Sequence, residues 1–501
     1  MRHRIIIVNG TANPILIRSG ISKSRPLLRL NGAKVILDES NSQDATEVML
    51  SDKDGTSMPR FPITHASVHF LRRWIPHRVA LVPALFHALV GTLLCGGLML
   101  PPKSASAENW PRFRGPNGSG HSSEKGFPAQ WNPKAAKWVR DIPGVSHSSP
   151  VIWDNRVFVT SAELIGDNQS RRTLHALKTD TGEIAWSAST TLGVNGKHAK
   201  SSFANASPTV DSERVYAAWA DNENFLVEAF DFGGKRLWKV DLGPFASQHG
   251  QGASPILFEN LLIMVNDQDT DSFIVALDRK SGEIVWKKTR ESRETSYATP
   301  AIFEPAGGGP AQLICVNGVS GVTALDPWTG ELQWASEPFP RRTVASPVIG
   351  ASRIFAGAGQ GAKGTDYFLI DPLAKPRDGK MPVSLKLDRL LPYVPCCLYH
   401  NDLLFLWGDG GVVSCLNAIT GKVFWTERVG GKFTASPILL EDRLYNIDEA
   451  GKLSCLSATE KYELLGTTDL GEESYSTLAV SNGAVYAKTF SKLFSLPTAA
   501  K

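Results

Sequence analysis

Two adjacent cysteines, Cys396 and Cys397, stand in the stretch VPCCLY. A vicinal thiol pair could form the reactive floor of a redox site. The bland alternative is two small buried side chains that happen to be neighbours. A second stretch, NDQDTDS, alternates Asp267, Asp269 and Asp271. Oxygen ligands in that pattern suit calcium. The run lacks the glycine and the distal glutamate of an EF-hand loop, and it lies between two apolar segments, so it also reads as a polar hairpin turn. Nothing supports a hydrolase triad: no Gly-x-Ser-x-Gly turn occurs, and no histidine is paired with a nucleophile in sequence. The other cysteines lack metal-ligand spacing. Cys415 and Cys455 occupy a small-residue position of a repeat, and Cys315 lies in an apolar strand, QLICVNG.

What positions these residues is an internal repeat. ALDRKSGEIVW (276–286) returns as ALKTDTGEIAW (176–186), ALDPWTGELQW (324–334), CLNAITGKVFW (415–425) and, one residue shorter, AFDFGGKRLW (229–238). Between these copies a second element recurs as SSPVI, ASPTV, ASPIL, ATPAI, ASPVI and ASPIL. VPCCL and YSTLAV stand at the two remaining places. The marker positions are Pro150, Pro208, Pro255, Pro300, Pro347, Pro395, Pro437 and Thr477. Each unit reads as four short strands with turns between them, the composition of one propeller blade. A blade has two apolar faces and cannot bury them alone, so blades stack in a ring. Eight starts predict an eight-bladed, all-β propeller over 136–497 with four antiparallel strands per blade. Trp138 has no inner strands before it, and the last repeat has no tryptophan after it. Joining the two ends completes the eighth blade and leaves no open seam.

The repeated residues read as structural. Gly182, Gly282, Gly330 and Gly421 allow a positive φ in a hairpin turn. Trp138, Trp186, Trp238, Trp286, Trp334 and Trp425 have rings to pack between blades and an indole N–H that needs an acceptor. Two repeats, after residues 372 and 460, lack the tryptophan, which predicts irregular blades there.

The motif Ala-x-Asp-x-x-x-Gly-x-x-x-Trp resembles the tryptophan-docking motif of the pyrroloquinoline-quinone (PQQ) repeat, from about Trp138 to Leu496. That β-propeller superfamily includes quinoprotein alcohol dehydrogenases and the outer-membrane assembly protein BamB. The dehydrogenase resemblance implies a vicinal disulfide at Cys396–Cys397 stacked on PQQ, with calcium held by carboxylate or amide ligands. The chain departs from that pattern. Its cysteine pair falls in the sixth blade, at a repeated structural element, with no carboxylate cluster beside it and no long insertions. The BamB resemblance implies a scaffold for proteins or peptides of the cell envelope, monomeric, with outer-membrane association and no cofactor. One fold hosts several activities, so the resemblance is specific for fold more than for function.

Function is expected at the ring axis. Residues just before each Ser-Pro should line the channel mouth: His147, Asn205, His249, Gln251, Tyr297, Arg342 and Thr434. An insertion, GVNGKHAKSSFANASP, brings Lys197, His198 and Lys200 there. A binding or scaffold role is the first expectation, a PQQ- and calcium-dependent dehydrogenase the second, and a lyase or hydrolase at the axial pocket the third.

The N-terminus reads as an export signal. Arg72, Arg73 and Arg78 precede an apolar run over 79–100, and Ala105-Ser106-Ala107 fits the A-x-A cleavage pattern. Cleavage there predicts a periplasmic or secreted protein; left uncleaved, 79–100 is long enough to anchor it in a membrane. Met58 lies just ahead of the signal (58–107), so 1–57 is expected to be a non-native or disordered extension. The Pro/Gly-rich segment 108–135 is either a linker or a loop across one face of the ring. The whole chain has 53 basic and 49 acidic residues. Without 1–107 the balance falls from +4 to a net −3, with no basic run, which argues against nucleic acid as partner.

Overall fold

A computed structural model describes residues 108–499. Ahead of them it describes six short strands, in a unit of their own within residues 1–103. Ile5–Ile7 pairs with Ile15–Ile17, and Leu27–Leu30, Ala33–Leu37, Glu47–Ser51 and Phe61–Pro62 form a meander. Met58 and the run from Arg72 to Ala107 lie outside the described residues. Among the described residues no helix is long and apolar enough to cross a membrane.

The larger unit is an eight-bladed β-propeller of four-stranded antiparallel meanders. Blade 1 comprises Val151–Trp153, Arg156–Leu164, Gln169–Lys178 and Ile184–Gly193. The second and third strands of a blade are buried almost throughout, as in Arg214–Ala220 and Phe225–Asp231 of blade 2, because both of their faces meet neighbouring blades. Outer strands such as Arg236–Asp241 alternate between half-buried and exposed, since one face meets water. Strand Trp138–Asp141 pairs antiparallel with Lys492–Pro497, Trp138 opposite Ser495, so the two ends of the propeller segment share blade 8 as expected.

The docking motif works across blades. Indole Nε1 of Trp138 donates to Thr179 O of the next blade at 3.0 Å, Trp186 to Phe232 O at 2.8 Å, Trp286 to Pro327 O at 3.1 Å and Trp425 to Thr459 O at 3.0 Å. The motif glycine has a second job beyond its turn. A Cβ on Gly182 (φ +68°) would lie 2.5 Å from the Trp138 ring, and one on Gly330 (φ +70°) 2.6 Å from Trp286. The irregularity expected in blade 5 is present. Its outer strand, Val383–Leu387, presents Leu385 to Gly421 where other blades present tryptophan. Trp334, facing that blade, turns its indole to Gln312 Oε1 at 3.2 Å.

The hydroxyls of the Ser-Pro elements close a ring of their own. The amide of Ser149 donates to Ser207 Oγ (2.9 Å), Ser207 to Ser254 (2.9 Å), Ser254 to Thr299 (3.0 Å) and Thr299 to Ser346 (2.9 Å). Ser346 N then meets Cys396 Sγ at 3.3 Å, Cys396 N meets Ser436 Oγ at 3.0 Å, Ser436 N meets Thr477 Oγ1 at 3.0 Å, and Thr477 N returns to Ser149 Oγ at 3.1 Å. This corrects the alignment of two repeats by one residue. Cys396 and Thr477 hold the serine position, and Cys397 and Leu478 hold the proline position. Pro395 therefore precedes the element and does not belong to its proline column. Side-chain hydrogen-bonding capacity, more than the proline, defines the register.

The segment 108–135 lies across one face of the ring and is not a free linker. Trp110 exchanges main-chain bonds with Ile152 at 2.9 and 2.8 Å, Pro111 O accepts from Val210 N, and Asn117 brackets Ile302 from both sides. His121–Ser122 adds a parallel strand to Ile438–Leu440 of blade 7. The buried Arg112 donates to Pro300 O at 2.6 Å, and the buried Arg114 to Cys397 O at 3.0 Å and Pro437 O at 3.2 Å. These contacts fall on the inner strands and on the residues that directly follow the hydroxyl ring, beyond that ring from the residues that precede Ser-Pro, so the segment plugs that end of the channel.

Ser254→Ala is expected to strand the buried Ser207 amide and lower the unfolding free energy by about 1–3 kcal/mol, whereas Cys396→Ser restores a hydroxyl and stays within about 1 kcal/mol of the parent. Urea titration of both variants checks the pair.

Candidate functional site

With one end plugged, the channel becomes a cup of about 580 Å³ that opens at the start of the inner strands. This is within the range of small-ligand pockets, about 300–1,000 Å³. Its floor is the hydroxyl ring with its Cys396 member, and Phe113 rises into it from the plug. Of the residues expected at the mouth, His147, Lys200, Asn205, His249, Tyr297, Arg342 and Thr434 line the cup, together with His198 from the insertion. Gln251 turns aside: its Nε2 donates to Ala253 O at 2.5 Å, and its carbonyl accepts from Asn205 at 3.1 Å. Lys197 sits over the Phe203 ring.

Among the wall residues that escaped the sequence reading are Glu294, Arg341, Tyr393, Asp409, Glu449 and Tyr475. Asp409 and Glu449 follow the second strands of blades 6 and 7, a set of loops that a search upstream of Ser-Pro does not reach. The signal was present as the turn stretches GDGG and DEAG.

The charges of the cup are mostly paired. Lys200 Nζ lies 2.5 Å from Glu449 Oε1, which also accepts from Thr434 at 2.8 Å. Arg342 Nε lies 3.1 Å from Glu294 Oε2. Asp409 accepts from the amides of Tyr393 (2.7 Å) and Val394 (3.2 Å), while burial pushes its carboxyl up. The His147 ring packs against Tyr475 and Phe490, with centroids 4.7 and 5.1 Å away, and burial carries its pKa down to about 3. Burial also lowers His249, which meets His198 edge-on at 5.1 Å. The His147 ring is neutral at pH 7. Behind His147, Lys488 is wholly buried and donates to Ser146 O (3.2 Å) and Thr489 O (3.0 Å); desolvation takes it to about 7.

Cys396 and Cys397 carry separate thiols, and the disulfide implied by the dehydrogenase resemblance is not formed. Neighbouring side chains of extended backbone leave on opposite sides. Cys396 faces the cup. Cys397 packs beside Tyr367 in the core between blades 5 and 6, where burial pushes its thiol up to about 12. Cys315 and Cys415 are buried thiols at about 12 and Cys455 at about 11, all unsuited to nucleophilic work. The three aspartates of the candidate calcium loop do not converge. Asp267 is buried against Arg290 (3.3 Å), Asp269 accepts from Gln248 N, Thr295 N and Thr295 Oγ1, and Asp271 is exposed. Ser161 and His175 are hydrogen-bonded at 2.9 Å, but both are buried inside blade 1, away from the cup, with Ser187 on the other ring nitrogen.

Calcium-held PQQ would need several oxygen ligands aimed at one point and a flat floor for the quinone. The cup's carboxylates are dispersed and committed elsewhere. Among the described residues no group of three His, Cys, Asp or Glu side chains could hold a metal ion. The residues present do not fit that group.

A family model described as "Outer membrane protein assembly factor BamB" matches residues 129–299, 223–366 and 393–497, more than half of the chain. The chain belongs to this family of PQQ-repeat propellers. Among curated proteins it is similar to 1-butanol dehydrogenase (quinone) of Thauera butanivorans, with 30% identity over 140 residues. That match covers 24% of this chain and only 21% of the dehydrogenase. Among solved structures it is similar to BamB from Moraxella catarrhalis (TM-score 0.52, 15% identity, 72% of this chain and 97% of that one). It is also similar to the quinohemoprotein alcohol dehydrogenase of Comamonas testosteroni (TM-score 0.57, 12% identity, 79% and 81%). At these identities the structural matches speak for the fold, which the PQQ-like propeller shares with binding proteins and oxidoreductases alike.

The buried bases give the protein a pH signature. His121 and His175 titrate near 4 and His147 near 3 in the folded chain, all lowered by burial from 6.5. The unfolded chain binds more protons across that window, so the stability these histidines contribute is full above about pH 6.5 and is lost as pH falls towards 4. Lys488 extends the same sign to the interval between about 7 and its unfolded value of 10.5. Thermal melts are expected to rise from pH 4 to 7, and Lys488→Met to flatten the further rise between pH 7 and 10.

Proposed function

We propose that this PQQ-like propeller is a binding module of the cell envelope that seats a polypeptide segment in its axial cup. The observation that carries this reading is the state of the cup's side chains. Its carboxylates are paired with cations or main-chain amides, and no hydroxyl or thiol of the cup is hydrogen-bonded to a histidine. What stays open is recognition chemistry: the faces of Tyr297, Tyr393, Tyr475 and Phe113 above a ring of hydroxyls. A rigid ring with its far end plugged presents that surface with little ordering cost. Export through the 58–107 signal would put it in the cell envelope, in keeping with the family model's description as an outer membrane protein assembly factor.

The expected result is a discrete polypeptide adduct when a photo-crosslinking residue replaces Tyr297 in the full chain in its own cells, and loss of that adduct on adding Arg342→Ala. The second reading, a quinone-dependent alcohol dehydrogenase, is favoured by the 30% match to the Thauera enzyme. It is tested by adding PQQ and calcium to the purified protein. Stoichiometric quinone absorbance with alcohol-dependent dye reduction would overturn the binding reading.

A further inference from the structure

The cup has a side arm. Between blades 3, 4 and 5 a groove of about 360 Å³ runs out from the cup wall, lined by Arg293, Gly318, Val319, Pro338, Phe339 and Pro340. It shares Glu294, Arg341 and Arg342 with the cup, so the two spaces adjoin through these three residues. The groove's surface is apolar and stiff: Phe339 is buried against Phe368 at 4.2 Å between ring centroids, with a proline on either side. Its rim is cationic.

The charge balance there is unequal. Three guanidinium groups surround the groove with one carboxylate among them. Arg342 is the only one of the three that is ion-paired among the described residues, through Glu294. Arg293 and Arg341 are exposed, and neither has an ion-pair partner among the described residues. Even the Arg342 contact is imperfect. Its Nε is buried and, despite the 3.1 Å separation, is not aligned to hydrogen-bond Glu294, whose side chain is half exposed. Glu294 is thus placed where an incoming carboxylate would sit, and it can leave for water because its own side chain is half exposed and holds no hydrogen bond to Arg342 Nε.

We infer that the segment seated in the cup is acidic and enters along this groove, laying a carboxylate side chain on Arg341 and Arg342 and its apolar flank on Phe339 and the prolines. The inference rests on the binding reading above and adds the partner's chemistry. Arginine's planar fork suits a carboxylate bidentately, and rim charges of one sign steer a partner of the other. Glu294 acts as an internal stand-in for the ligand's carboxylate and sets a threshold that only a well-placed acidic residue passes.

The test uses the full chain and two fluorescent peptides, one alternating Glu with Tyr and one with Gln in place of every Glu, read by anisotropy. The acidic peptide is expected to bind at least about tenfold more tightly, and to weaken as salt rises from about 50 to about 500 mM. Arg341→Glu with Arg293→Glu should weaken it by about tenfold or more, while Glu294→Gln should tighten it by about three- to fivefold. Lys239→Glu, on the outer strand of blade 2, is the control and should change nothing. The opposite signs at Arg341 and Glu294 separate a groove effect from loss of fold. Equal binding of both peptides, or no response to the arginine pair, overturns the acidic-segment inference while leaving a polypeptide-binding cup in place. Binding of neither peptide, with PQQ and calcium bound and turning over instead, overturns both.

Discussion

The hydrogen-bonded girdle at the axis is the constraint on which the molecule depends. Each blade gives an amide to the next blade's Ser, Thr or Cys side chain, and the eighth returns to the first. No member can tilt or slide without stranding a buried donor, and stranded buried donors are costly. The ring therefore fixes the spacing of the blades at their narrowest point. Trp138, Trp186, Trp238 and Trp286 do the same at the perimeter, each bonded to its neighbour's turn and seated on its neighbour's glycine. Between these two circles lie the buried second and third strands.

The same girdle makes the functional surface. Because the ring atoms face the axis, the residues immediately before them converge on one mouth, whatever blade they come from. The plug then decides that the channel is a cup. Arg112 and Arg114 are buried with carbonyls as partners, and no ion pair to either occurs among the described residues. The carbonyls they take, of Pro300, Cys397 and Pro437, belong to the residues that lead into the inner strands. A ring built for closure thus produces a blind, polar-floored pocket, and recognition chemistry follows from that shape more than from any catalytic constellation.

Cys396 and Cys397 illustrate how much context alters a motif. As a dipeptide they suggest redox chemistry. In the ring Cys396 is a serine substitute, accepting at 3.3 Å where hydroxyls accept at about 3 Å, and Cys397 fills the place of a proline. The longer contact matches the larger sulfur atom. What the pair marks is the register of the sixth blade.

Blade number, strand count and the closure through Trp138 were legible in the sequence, because a repeat writes the same local physics many times and its period survives single substitutions. Most of the mouth was legible too, since position relative to Ser-Pro fixes direction. The one-residue slip at Pro395 and Thr477 arose because proline is the more visible letter, while the conformational work is done by the hydroxyl position. Glu294, the pairing that quiets the cup's charges, the choice of plug over linker for 108–135 and the arginine groove were decided by tertiary structure alone. They depend on which loops of different blades meet across the axis, and that distance is set by ring closure, a property no single repeat contains.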